Sequence, residues 1–301
     1  MCVAPRLDGG PRTRAMRRKK QDSLDTPGAG WAQKKYLTTA KRLPDGYDLV
    51  PFVESGYRVG YGSCACVASV FQLHNQTLNV WTHLVGFIYF AYLLVDAGRP
   101  RDADALVVFA LRVSAALMTG ASSAYHTFSA LPPKACAAWL CVDKVGIASM
   151  IGGSFVPGVW FAFRCLPAAR TCYLGAAFLV WILGVALAAN VVPERHHARG
   201  FAALVIFGLL PTCHFAATAS RVVIALFLPR LLIMFALYGL GFFFYASHWP
   251  ESRWPGRVDL VGASHQLWHV CVLGAALAWH DDVASFAAML RDDAAALRCP
   301  A

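Results

Sequence analysis

Two histidines stand four residues apart in Ser264-His265-Gln266-Leu267-Trp268-His269. Side chains at i and i+4 project from one face of a helix, so this spacing offers two imidazoles to one metal ion. Alone, the pair is a weak signal. A third imidazole would complete a three-His zinc (Zn2+) site with one open position for water. His126, at the end of another apolar stretch, can supply it. Asp143 has two chemical readings, a fourth ligand or a hydrogen-bond partner of the metal-bound water. An ion pair with Lys144 is the alternative, although adjacent residues on a helix point to different faces. Ser122 lies one turn before His126 and shares its face. Its hydroxyl can donate to the metal water or to a substrate carbonyl, or bond back to its own helix. Asn79 and His83, one turn apart, can support the ligands from behind. A plain interfacial histidine is the alternative for His83.

The elements that position these groups follow from the hydrophobic pattern. The 301 residues are 57% hydrophobic and 15% charged, against roughly a quarter charged in a soluble domain. The deficit of charge falls after residue 78, where apolar runs are long enough to cross a bilayer as helices. Seven spans are predicted near 78–97, 104–128, 136–163, 170–192, 200–220, 230–247 and 264–280. The joints carry turn and charge signals such as Pro132-Pro133-Lys134 and Trp249-Pro250-Glu251. The expected fold is therefore all-α, a seven-transmembrane bundle. Spans two, three and seven then bring His126, Asp143, His265 and His269 to one membrane face. Ionisable residues inside spans are costly and mark functional sites.

Four segments organise the chain. Residues 1–45 are rich in Gly, Pro, Arg and Lys and read as a disordered basic tail. Residues 46–77 read as an approach loop followed, from Ser63, by a short amphipathic helix at the membrane surface. The membrane domain covers 78–280, and 281–301 form a short outer tail. The net charge is +10, and twelve Lys and Arg precede residue 78. No recognition motif accompanies this charge, so nucleic acid is excluded as a partner and membrane lipid is favoured. The same charge predicts a cytosolic N-terminus and a C-terminus on the opposite side. The N-terminus lacks the apolar core of a signal peptide, so the first span is expected to act as the membrane-insertion signal.

The ten cysteines lie mostly in or beside apolar stretches and read as small buried residues rather than a disulfide framework. An external Cys165–Cys172 pair is an open alternative. His74, His196, His197, His248 and His280 read as loop or interface residues, and His214 as a cavity-lining or helix-packing residue. Trp81, Trp160, Trp249, Trp254 and Trp268 fit an aromatic belt.

These motifs resemble the progestin and adipoQ receptor family, which includes the adiponectin receptors and relates to the haemolysin-III-like proteins. The likeness covers roughly residues 50–280. Gln76-Thr77-Leu78-Asn79-Val80-Trp81-Thr82-His83 looks like the family's first motif, and Ser122-x-x-x-His126 like its second. Asp143-Lys144-Val145-Gly146-Ile147, running on to Gly153-Ser154-Phe155-Val156-Pro157, is similar to the adiponectin-receptor third helix. Ser264 to His269, preceded by Pro255-Gly256, looks like the seventh-helix motif. The resemblance implies zinc held by His126, His265 and His269, with Asp143 on the zinc water and Ser122 beside it. It implies a cytosolic N-terminus and a ceramidase-like hydrolase acting on a lipid amide, linked to signalling. A steroid or protein ligand is the alternative partner, since the resemblance leaves progestin-type and adiponectin-type membership open. The seventh-helix region also looks like the Golgi scaffold members, for which zinc would be structural and the residence Golgi rather than plasma membrane. Two positions depart from the pattern: Gln76 where Glu is usual, and Lys144 where Tyr is common.

Overall fold

The computed structural model describes residues 36–45, 47–292 and 299 of the chain. The basic run from Arg12 to Lys20 lies outside the described residues. Ahead of the membrane domain, β1 (Tyr36–Thr38) pairs antiparallel with β2 (Tyr57–Val59), Tyr36 opposite Val59 and Thr38 opposite Tyr57. Helix α1 (Ser63–Ser69) follows, with Val67 and Phe71 exposed beside it. This small ribbon was not legible as strand, because three residues are too few to display an alternating pattern.

Seven helical segments among the described residues are long and apolar enough to cross a membrane. They are α2 (Thr77–Ala97), α3 (Ala103–Phe128), α4 (Pro133–Ala162), α5 (Pro167–Ala188), the pair α6 (His197–Phe207) and α7 (Leu209–Thr218), α8 (Arg221–Ser247) and α9 (Ser264–Asp292). The fold is thus an all-α seven-helix bundle. The fifth span breaks at Gly208, just before Pro211, whose missing N–H removes a helix bond. The seventh continues well past the expected end at 280. The Asp282 carboxylate lies 3.8 Å from Arg230 of α8, so the helix carries the charge onward.

Helix α9 packs on α8 and also touches α2, α3 and α4. It is the most enclosed span, which lets side chains from its first turns meet those of α3. Close packing of α4 on α3 depends on Gly146: a Cβ there would sit 3.0 Å from the Met118 Cα. Asp143, one turn before Gly146, is thereby held against α3. At the opposite end of the bundle, Cys165, just beyond α4, is disulfide-bonded to Cys299. The alternative Cys165–Cys172 pair does not form, since Cys172 is a free thiol on the exposed face of α5.

Candidate metal centre

His126 occupies the last turn of α3, and His265 and His269 the first turns of α9. One ligand nitrogen from each ring lies within 4.8 Å of the others. The ring centroids form a triangle of 5.2, 4.7 and 4.9 Å. His126 and His269 are buried, and His265 is half-buried on the cavity wall.

Hydrogen bonds select which nitrogen each ring offers. His126 Nδ1–H donates to Gln76 Oε1 at 2.8 Å, and Asn79 Nδ2 donates to the same oxygen at 2.7 Å. His126 Nε2 is left buried without a hydrogen-bond partner. A buried orphan nitrogen is costly unless something occupies its lone pair. His269 Nδ1–H donates to the Asn79 carbonyl at 3.2 Å, which turns Nε2 inward. Ligating histidines commonly anchor their second nitrogen in this way. The donor set therefore fits a metal ion: three imidazoles, two of them oriented from behind, with room for a fourth ligand.

The start of α9 is itself pinned. Buried Glu251 accepts from the Ser264 N–H at 2.7 Å and from the Ser264 hydroxyl. Gln266 Oε1 accepts from the Gly262 and Ala263 N–H groups at 2.6 and 3.2 Å. A carboxylate at a helix N-terminus satisfies free N–H groups and complements the helix dipole. Asp259 Oδ2 accepts from Ser55 Oγ at 2.7 Å and from the Glu54 N–H at 3.1 Å, tying the loop before α9 to the approach segment. Tyr57 anchors that segment through its hydroxyl on the Val53 carbonyl, and burial pushes its pKa up to about 12.

Asp143 is buried in α4, with Ser122 of α3 beside it. Both line the same cavity as the three histidines, a space of about 700 Å³ with largely apolar walls. Lys144 lines it as well. His83 stacks on His269 at 3.9 Å, and both of its nitrogens are buried without hydrogen-bond partners. Asn79 touches both ligand supports at once, through its amide on Gln76 and its carbonyl under His269.

Several residues lie elsewhere than their sequence pattern suggested. His74 is fully buried, with Nε2 on the Ser69 carbonyl at 3.1 Å and Nδ1 accepting the Gln76 N–H. Burial, helped by the Arg58 charge, lowers its pKa to about 3. His197 is buried too, with Nε2 on the Val192 carbonyl. His280 is buried rather than interfacial, and accepts from Arg112 Nε at 3.0 Å. Trp268 lines the cavity instead of a belt. His214, by contrast, keeps the helix-packing role expected of it, against Phe163 and Tyr173. Sequence reasoning passed over Arg58, and read Gln76 only as a departure from the first motif. Gln76 lies in the first motif, three residues before Asn79, and that spacing was the available signal for its role. Arg58, in a short ribbon strand, had none.

The fold and this centre define the class. The chain belongs to the haemolysin-III-related family, whose pattern it matches over residues 71–280. It is 31% identical over 269 residues to progestin and adipoQ receptor family member 3 of Mus musculus, covering 81% of this chain and 84% of that protein. It is 30% identical over 276 residues to the adiponectin receptor protein of Drosophila melanogaster, covering 86% and 60%. A plant relative, heptahelical transmembrane protein 1 of Arabidopsis thaliana, is 30% identical over 265 residues, covering 81% and 79%.

Proposed function

We propose that this protein is a zinc-dependent hydrolase of a lipid amide, of the ceramide type, with a role in signalling. The observation that carries the reading is the convergence of three imidazoles on one point, in an apolar-walled cavity that also holds Asp143 and Ser122. Bound there, zinc supplies Lewis acidity and a water whose pKa falls toward about 7. His126, His265 and His269 are the ligands in this reading. Asp143 takes a proton from the attacking water at its carboxylate and passes it to the leaving amine. Ser122 stands beside Asp143, and its single O–H is directed to the substrate carbonyl. Asn79 and Gln76 keep two ligand rings in register, and His83 fills the space behind His269. The apolar walls exclude water and suit an acyl chain.

The topology that goes with this has the site end and the N-terminus in the cytosol. The twelve Lys and Arg ahead of the first span support it, since positive charge is retained on the cytosolic side. Plasma membrane and Golgi both admit that topology.

The test is sphingosine release from ceramide by purified protein in detergent. Release that stops on chelation, returns with zinc, and falls about 100-fold in Asp143→Asn with zinc retained is the expected result. Zinc-loaded protein with no release overturns the hydrolase. A second reading then stands, a receptor or Golgi scaffold with a structural ion and a steroid or protein ligand. It is favoured by the ligands coming from two helices, since an ion there joins α3 to α9.

A further inference from the structure

The last carbonyls of a helix have no partner within the helix and must find one outside it. At the end of α3 those carbonyls belong to the turn that carries His126. Arg58 of β2 reaches them. Its NH2 donates to the His126 carbonyl at 2.6 Å and to Ser129 Oγ at 3.1 Å. Its NH1 donates to the Thr127 carbonyl at 3.0 Å and to Ser69 Oγ at 2.7 Å. The guanidinium is 4% exposed, and among the described residues no carboxylate pairs with it. A cation buried without a counter-ion is costly, and here it is spent on backbone oxygens at a helix C-terminus, where positive charge is favoured.

We propose that Arg58 is a positioning residue for the metal centre: it fixes the backbone of the last α3 turn, so that His126 presents Nε2 to the ion. The proposal rests on the three-imidazole reading above. Two restraints then act on His126 from different sides. Gln76 holds the ring, and Arg58 holds the carbonyl of the same residue. The planar fork suits this task because it meets two successive carbonyls at once and reaches α1 through Ser69. The approach segment, which lies outside the seven spans, thereby becomes part of the site.

The experiment uses the full chain in detergent with Co2+ as probe, reading the visible absorption band of the ion and its affinity by chelator competition. Arg58→Ala is expected to lower Co2+ affinity about 10-fold or more and to shift the band. Arg58→Lys, which keeps the charge but not the fork, is expected to fall between it and wild type. Ser69→Ala, which leaves both carbonyl contacts in place, is expected to bind as wild type does. A merely structural Arg58 lowers thermal stability but leaves band and affinity unchanged in the folded protein, and that result overturns the proposal. If Arg58→Ala does not fold, Arg58→Lys decides by the same two readouts. His126→Ala separates the two levels of the argument. Wild-type Co2+ binding by that variant sinks the metal centre itself. Loss of binding there, with wild-type behaviour of both Arg58 variants, sinks only the role of Arg58.

Discussion

Helix α9 carries buried polar side chains at both ends, and the bundle treats them differently. At its start, His265 and His269 meet His126, and the nitrogens left over face one another rather than a charged partner. Toward its end, His280 takes a hydrogen bond from Arg112 of α3, and Asp282 lies 3.8 Å from Arg230 of α8. The second set ties helices together pairwise, with His280 Nδ1 and Asp282 Oδ2 still buried without hydrogen-bond partners. The first set lacks a component. Burial of polar groups in a membrane protein does not by itself mark a site. What separates the two ends is convergence: at the start of α9 three ligand nitrogens meet at one point, whereas toward its end each polar group meets a cation from a different helix.

The sharpest way to break this comparison is at the ligands. His126→Ala, His265→Ala and His269→Ala are each expected to take zinc from about one ion per chain to near none by elemental analysis. His280→Ala is expected to leave the zinc content unchanged. Retention of zinc by the first three, or its loss in the fourth, would erase the distinction between the ends.

Gln76 tests the support behind the site. Gln76→Ala frees His126 Nδ1 and is expected to weaken metal affinity by about 10- to 100-fold. Gln76→Glu places a carboxylate on the same nitrogen and is expected to tighten binding, since a carboxylate partner raises ligand basicity. Chelator competition on the two variants reads the difference directly.

Arg112→Met tests the tie. It strips His280 of its donor, and a loss of about 1–3 kcal/mol of stability is expected, the range for a hydrogen bond to a charged group. Thermal unfolding in detergent measures it, and zinc content is expected to stay at wild-type level.

The smallest effect is in pH. His74 has a folded-state pKa lowered to about 3 from the ordinary 6.5. Between those values the unfolded chain binds a proton that the folded ring refuses. The contribution of His74 is therefore complete above about pH 6.5 and is lost progressively as pH falls toward 3. His74→Asn is expected to flatten the decline in melting temperature between pH 7 and pH 5 relative to wild type. An unchanged slope would mean that His74 protonates in place.

The large apolar runs made the seven spans legible, because a bilayer demands length and hydrophobicity that few soluble segments combine. The meeting of His126 with His265 and His269 followed from alternating helix direction once the spans were counted. What sequence could not display was contact between distant short segments. Arg58 lies 68 residues from His126, on a strand of three residues, and no periodicity announces a guanidinium on a helix end. His280 was misplaced for the opposite reason. The span was expected to end at 280, yet Arg230 meets Asp282 and α9 runs on to Asp292. Asp259 and Glu251 read as loop charges, and only the fold reveals them as the pins that hold the start of α9 against the approach segment.

X-ray absorption spectroscopy at the zinc edge of the purified full chain tests the central claim most directly. The account predicts one stoichiometric zinc with three imidazole nitrogens at about 2.0–2.1 Å and an oxygen completing the shell. Sulfur ligation, or the absence of a stoichiometric metal, would contradict it.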